Sequence, residues 1–96
     1  MIELTGEYIL TSNRESGFGR YDVMLEPINK KKNAIIIEFK VRNPKKEKSL
    51  EETVETALKQ IEAKQYEAVL VSKGIEIDCI KKYGFAFEGK EVLIGD

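Results

Sequence analysis

Strand-forming residues dominate the first half of the chain. Residues 7–12 and 20–25 are typical of strands, because aromatic and β-branched residues loosely alternate with polar ones. Between them, residues 13–19 contain two glycines and predict a turn or an open loop. Residues 34–41 carry the strongest strand pattern, and their first half is apolar on both faces. That pattern is typical of a central strand that is covered on each side.

A helical spacing begins after residue 48. Ser49 is a favourable N-cap, and Glu52 follows three residues later, which is the capping-box arrangement. Apolar residues then recur at steps of three and four, as on one face of a helix: Leu50, Val54, Ala57, Leu58 and Ile61. Residues 66–71 predict a second, short helix, which ends at Gly74.

The end of the chain returns to an extended pattern. Residues 75–87 predict an extended stretch, residues 88–90 a tight turn and residues 91–94 a final strand. The order is then β-β-β-α-β-β, an α/β (α+β) arrangement in which a helix packs on a mixed sheet. A chain of 96 residues without internal repeats is expected to be one domain over residues 1–96.

Composition limits the chemistry that this domain could perform. A hydrophobic content of 42% is ordinary for a globular protein, and no apolar run is long enough to cross a bilayer. The N-terminus lacks the pattern of a signal peptide, and the single cysteine, Cys79, predicts a reduced thiol in a core or strand, so we expect a cytoplasmic protein. The chain contains no histidine, which excludes Ser-His-Asp and Cys-His catalysis and imidazole-based zinc sites.

The net charge of −1 argues against binding of nucleic acid by bulk charge. Basic residues nevertheless cluster in two predicted loops, at residues 30–32 and at Lys45, Lys46 and Lys48. Their spacing alone favours solvated loop lysines over a nucleic-acid surface.

Two neighbouring strands place charged residues on one face. Successive side chains of a strand alternate, so Glu38 and Lys40 share a face, and burying them is costly unless something uses them. If the second and third strands form a hairpin centred on Lys30, Asp22 lies directly across from Glu38. Two carboxylates held this close repel each other unless a cation lies between them, and an oxygen-only site suits Mg²⁺ or Mn²⁺.

Lys40 could orient a metal-bound water and stabilise charge on a phosphorus centre. The alternative is a structural ion-pair cluster of Asp22, Glu38 and Lys40 on the sheet surface. A Glu-x-Lys tripeptide alone favours that alternative, because the tripeptide is common.

A longer combination of motifs favours the catalytic interpretation. The chain resembles the PD-(D/E)XK nuclease superfamily in residues 14–22, residues 34–40, residues 57–61 and Tyr66. More narrowly, it resembles the nuclease-like domain at the C-terminus of many bacterial AAA-type ATPase-like proteins. The likeness extends to the aromatic residues 83–87 and their closing hairpin. It implies a restriction-endonuclease-like mixed sheet and a nuclease that acts on DNA with Mg²⁺ or Mn²⁺.

The resemblance also implies roles for single residues. Asp22 and Glu38 match the metal-binding acids, and the backbone carbonyl of Phe39 would be a further metal ligand. Lys40 matches the catalytic lysine. Gln60 matches a polar helix residue that often completes such sites, although its position alone fits an exposed helix glutamine equally well.

The start of the chain departs from the superfamily pattern. The superfamily core begins with a helix ahead of the first strand, and residues 1–6 are too few to supply it, so we expect this helix to be missing. An uncovered sheet face would expose an apolar patch, which predicts a homodimer that uses this face or the N-terminal strand. Two functions remain open: a metal-dependent endonuclease, or a catalytically inactive nuclease-fold module that binds nucleic acid or an ATPase partner.

Overall fold

The computed structural model describes residues 2–4, 6–15 and 20–96, with side chains for residues 6–12 and 22–96. Its strands are β1 (Ile2–Leu4), β2 (Tyr8–Glu15), β3 (Arg20–Pro27), β4 (Ala34–Val41), β5 (Ile80–Glu88) and β6 (Glu91–Gly95). Its helices are α1 (Leu50–Ala63) and α2 (Tyr66–Ser72), and a single 3₁₀ turn (Ile77–Cys79) precedes β5. Residues 16–19 of the predicted glycine loop lie outside the described residues.

Six strands form one mixed sheet in the order β1-β2-β3-β4-β5-β6. Neighbouring strands are antiparallel except for β4 and β5, which are parallel. The connection between these two strands contains both helices, as a parallel pair requires a long crossover. The predicted mixed α+β architecture is confirmed. The order differs from the predicted one by the added strand β1, so the described N-terminal residues are extended rather than helical.

The segment after α2 is not the extended stretch that its alternating pattern predicts. Gly74 has a φ of +96°, which ends α2, and the Ile75 amide donates back to the Leu70 carbonyl at 3.2 Å. Ile75 is buried in the core, whereas Ile77 is 60% exposed on the 3₁₀ turn. Cys79 is a free thiol that packs against the core, as predicted. The apolar residues 75 and 77 therefore lie in a compact turn, and strand β5 begins only at residue 80.

Helix α1 begins as its capping residues predict. The Ser49 hydroxyl accepts a hydrogen bond from the Glu52 amide at 3.4 Å, and the Glu52 carboxylate accepts one from the Lys48 amide. The helix buries Val54, Ala57 and Ile61 against the sheet. Both helices pack on the same face as Ala34 and Ile36, and Leu70 of α2 joins this core.

Gly84 of β5 allows α1 to lie directly on the sheet. A Cβ atom at this position would be 3.0 Å from the Val54 carbonyl oxygen and 3.2 Å from the Ala57 Cβ. Gly84 pairs with Glu38 of β4 in the parallel register. The close approach therefore brings the helix down beside Glu38.

The opposite face of the sheet, which we call the open face, carries apolar side chains. Phe39 is central to it, with its ring centroid 5.0 Å from that of Phe85 and 6.1 Å from that of Phe87. Further along this face, Val92 is 50% exposed and Ile94 is 53% exposed. Within the described residues, neither helix packs here. The predicted strand parity is thus confirmed: alternate residues of β4 face the helices and the open face in turn.

Replacing Gly84 should test the close contact between α1 and the sheet. The added methyl group of Gly84→Ala collides with backbone and with a buried methyl group, so we expect a loss of about 1–3 kcal/mol in the free energy of unfolding. Urea denaturation followed by circular dichroism measures this. Gly6→Ala is the matched control, since Gly6 is exposed with no heavy atom within 4 Å of the added Cβ. Equal stability of the two variants would contradict the packing described here.

Candidate metal centre and active site

The hairpin of β3 and β4 pairs two buried acids. Asp22 lies directly across from Glu38, so the predicted register is confirmed. Asp22 is 1% exposed and Glu38 is 0% exposed, on the face that the helices cover. Two carboxylates buried side by side are unfavourable unless a cation lies near both.

Lys64 supplies positive charge to both acids. Its ammonium Nζ lies 2.6 Å from Asp22 Oδ2 and 3.4 Å from Glu38 Oε1. The residue immediately follows α1, and its backbone amide donates to the Gln60 carbonyl at 3.1 Å, which fixes the backbone from which the side chain extends. One ammonium group thus contacts the carboxylates of two strands.

Sequence reasoning did not find Lys64. The available signal is its position four residues after Gln60, which places both on the same side of the helix end. That signal does not by itself assign Lys64 to the site, because a lysine at a helix C-terminus is also favoured by the helix dipole. The assignment requires knowing that α1 packs over the two acids.

The two acids fit a divalent cation. A single cationic group already reaches an oxygen of each, so Asp22 and Glu38 are close enough to share one ion. No group of three or more His, Cys, Asp or Glu residues forms a metal cluster among the described residues. A site with two carboxylates suits Mg²⁺, which keeps several waters and is commonly bound by one or two carboxylates together with substrate phosphates.

Lys40 faces the same side of the sheet but points to another partner. Its ammonium Nζ lies 2.6 Å from Glu47 Oε2, and both side chains are buried. Glu47 belongs to the loop between β4 and α1, a position that carried no signal among the surrounding lysines. The structure therefore brings Asp22 and Glu38 together with Lys64, and Lys40 together with Glu47.

Glu47 organises the loop in which it lies. Its Oε1 atom accepts hydrogen bonds from the Asn43 amide at 2.8 Å and from the Thr53 hydroxyl at 3.2 Å. Burial raises the pKa of the Glu47 carboxyl, but the bonds from Asn43, Lys40 and Thr53, with the positive charge of Lys40, together hold that pKa below its ordinary value. Glu47 is therefore anionic at neutral pH and fixes the direction of the Lys40 side chain.

A cavity of about 590 Å³ opens beside this pair. Lys40 and Gln60 both line it, so the structure places the predicted polar helix residue in the same cavity as the predicted catalytic lysine. Arg42 and Lys46 add positive charge to its wall, and the Arg42 Nε atom also binds Glu88 Oε2 at 2.6 Å. The cavity is a basic pocket next to the strand that carries Glu38.

The other lysine cluster lies elsewhere. Residues 30–32 are exposed in the turn between β3 and β4, and Lys32 forms an exposed ion pair with Glu7. Strand β4 begins at Ala34, and Glu38 lies four residues further along it, roughly 13 Å of extended chain from the turn. These lysines are solvated loop residues, whereas Lys46 reaches the cavity.

Phe39 contributes its ring to the open face, where it contacts Phe85 and Phe87. Its carbonyl belongs to the strand between the two site residues Glu38 and Lys40. The role of that carbonyl as a metal ligand stays a prediction.

Fold and site together define a mixed α+β domain with a paired-acid centre on a β-hairpin. A family model described as the PD-(D/E)XK nuclease superfamily matches residues 1–96, and the chain belongs to this superfamily. Nucleases of this superfamily generally use divalent metal ions. Comparisons with curated proteins and with solved structures returned no match. Neither of the helices described above is long and apolar enough to cross a membrane.

Replacing Glu47 should lower stability in a pH-dependent way. A carboxyl whose pKa is depressed by folding stabilises the protein above its unfolded pKa, near 4.5, and loses that contribution as pH falls through the folded value. Glu47→Gln also leaves Lys40 buried without its anionic partner, so we expect a loss of about 3 kcal/mol at pH 7. The deficit relative to the wild-type protein should shrink below pH 4. Thermal and urea denaturation at several pH values measure both effects.

Glu55→Gln is the matched control, because Glu55 is exposed on α1. It should change the free energy of unfolding by no more than about 0.5 kcal/mol. A Glu47→Gln deficit that is the same at pH 3 and pH 7 would contradict the ionised Lys40–Glu47 pair.

Proposed function

We propose that this protein is a Mg²⁺- or Mn²⁺-dependent phosphodiesterase that hydrolyses DNA as an endonuclease. The observation that carries the proposal is the buried pair of Asp22 and Glu38, which lie in register and both contact the Lys64 ammonium. Burying two adjacent acids is costly for folding, and such an arrangement is a recognised feature of functional sites. Membership of the nuclease superfamily supports the same activity. The free Cys79 thiol is in keeping with a reducing cytoplasm.

The acids would hold the metal ion. Asp22 and Glu38 would hold it through their carboxylates, and the backbone carbonyl of Phe39 is the proposed third protein ligand. When bound, a divalent ion supplies Lewis-acid stabilisation of a phosphoryl oxygen and a more acidic bound water. The burial of both carboxylates excludes bulk water from one side of the site, which strengthens their attraction for a cation.

Lys40 would stabilise negative charge on the phosphate that is attacked. Its ammonium lines the basic cavity, and Glu47 holds it there at neutral pH. A DNA phosphate in the cavity would give Lys40 a second anionic neighbour, with Arg42 and Lys46 contributing to backbone binding. Gln60 lines the same cavity and would donate its amide to a phosphate oxygen or orient a water molecule. With a net charge of −1, this local cluster rather than the whole surface would attract DNA.

A second candidate is a catalytically inactive nuclease-fold module that binds nucleic acid or an ATPase partner. The observation in its favour is that the protein itself supplies counter-charges to the proposed catalytic groups, since Lys64 contacts the acids and Glu47 binds Lys40. The AAA-type ATPase domain of relatives is the proposed partner in that case. Titration with Mn²⁺ separates the candidates, because the inactive module has no need of a metal at Asp22 and Glu38.

Cleavage of DNA should depend on the three charged residues. We expect Asp22→Asn, Glu38→Gln and Lys40→Met each to reduce metal-dependent cleavage of plasmid DNA by at least about 100-fold, because each removes a group that holds the metal or stabilises developing charge. EDTA should abolish the wild-type activity. Lys45→Met, which removes an exposed loop charge, is the control and should retain activity. Cleavage that survives EDTA, or that persists in Glu38→Gln, would refute the mechanism.

We further propose that the open face associates with a second copy of the chain. Phe39, Phe85 and Phe87 form its aromatic centre, while Val92 and Ile94 extend it in half-exposed positions. These side chains carry no charge that would select a different partner. A sheet face packs well on an equivalent face, and a two-fold dimer buries the same patch on both copies.

A charge in the open face should separate the two copies. We expect a homodimer in sedimentation equilibrium at micromolar concentration and a monomer for Ile94→Lys, because the lysine would be buried at the interface without a partner. Ile77→Lys is the matched control, since Ile77 is similarly exposed but lies on the 3₁₀ turn, and it should remain dimeric. A monomeric wild-type protein would contradict the proposed assembly.

A further inference from the structure

The ammonium group of Lys64 lies where a cation bound by both Asp22 Oδ2 and Glu38 Oε1 would lie. It lies within hydrogen-bonding distance of Asp22 Oδ2, at 2.6 Å, and within 3.4 Å of Glu38 Oε1. A magnesium ion binds carboxylate oxygens at about 2.0–2.1 Å, so an ion shared by these two atoms would have to enter the same small volume. The two cations would then be closer together than either could tolerate in a buried, low-dielectric site.

Charge balance leads to the same conclusion. Among the residues whose side chains are described, the Lys64 ammonium contacts both buried carboxylates. A divalent ion carries two positive charges, enough to balance Asp22 and Glu38, and the Lys64 ammonium held beside it would repel it. Each cation therefore disfavours the other.

The Lys64 side chain can move from the site into solvent. It is about 20% exposed, whereas the acids are fully buried, and it lies just beyond the last residue of α1. Its backbone amide stays bonded to the Gln60 carbonyl, so only the flexible four-carbon stem needs to rotate for the ammonium to reach solvent. Displacement of Lys64 would not require unfolding of the helix.

We propose that Lys64 is an internal cation that competes with the divalent metal for Asp22 and Glu38, so that metal binds only when the ammonium leaves. The competition rests on the proposed function, because it concerns the same metal site. Its role in the metal-free protein is to make burial of the acid pair tolerable. Its consequence is a weaker apparent affinity for the metal. The apparent affinity equals the intrinsic affinity multiplied by the fraction of molecules in which Lys64 has left the site.

Isothermal titration calorimetry with MnCl₂ on the whole 96-residue chain tests this proposal. We expect Lys64→Met to lower the apparent Kd for Mn²⁺ by about tenfold or more relative to the wild-type protein, because the competing charge is gone. Lys59→Met is the matched control: Lys59 is exposed on the same helix, and its loss changes the net charge by the same amount. It should leave the Kd within about twofold. Lys64→Arg keeps a competing cation and should bind as weakly as the wild-type protein.

The result that would overturn the competition differs from the result that would overturn the metal site. Wild-type and Lys64→Met proteins that bind Mn²⁺ equally tightly, with binding lost in Asp22→Asn, would overturn the competition and leave the proposed function standing. Absence of Mn²⁺ binding in both proteins would overturn the metal site, and the proposed function with it.

A second measurement uses the wild-type protein and does not depend on the folding of a variant. NMR spectra of lysine Cε–Hε groups report the surroundings of the Lys64 ammonium during a titration with diamagnetic Mg²⁺. We expect the Lys64 signal to move from a shifted position to that of a solvated lysine, while the Lys59 signal stays constant. A Lys64 signal that is unchanged when Mg²⁺ saturates the acids would overturn the proposal.

Discussion

The structure depends on placing two negative charges side by side under a helix. Asp22 and Glu38 are neighbours because β3 and β4 pair in one register, and a shift of a single residue would send one acid to the open face. Burial removes the water that would otherwise screen their repulsion, so a cation must come from the protein or from solution. Lys64 meets this requirement, which couples the position of α1 to the charge of the hairpin.

Packing of the helix is a condition for that coupling. Gly84 lets α1 approach the sheet beside Glu38, and the end of the helix then carries Lys64 over the acids. The loop before the helix is held by a separate network around Glu47, which binds Lys40 of β4 and the Asn43 amide. The helix is thus positioned at both ends by ion pairs with the sheet.

Much of this arrangement could be predicted from sequence because it follows from strand parity and local chemistry. The pairing of Asp22 with Glu38 requires only a hairpin and its turn, and the Ser49 cap requires only four consecutive residues. Lys64 and Glu47 could not be predicted, since their partners depend on how α1 and its preceding loop dock on the sheet. A lysine at a helix end and a glutamate in a basic loop are ordinary surface residues until that docking is known.

The turn after α2 is a second feature that the sequence pattern could not predict. Ile75 and Ile77 alternate with polar residues as a strand would, but one enters the core and the other stays exposed. Periodicity records which residues are apolar, and it cannot distinguish a strand from a compact turn that buries one of them. The left-handed Gly74 decides the outcome, because it turns the chain back on α2.

Strand β4 pairs antiparallel with β3 and parallel with β5, which has a consequence for the order in which the protein folds. Its partner β3 is close in sequence, whereas Ala34 of β4 pairs with Ile80 of β5, which follows only after both helices. Closing a short loop costs less entropy than closing a long one, so the hairpin can form before β5 joins the sheet. At that stage the two acids still face water, and their repulsion is screened by solvent and salt. Docking of α1 then dehydrates the pair and delivers Lys64 in the same step, so the folding chain need not bury the acids before their counter-charge arrives.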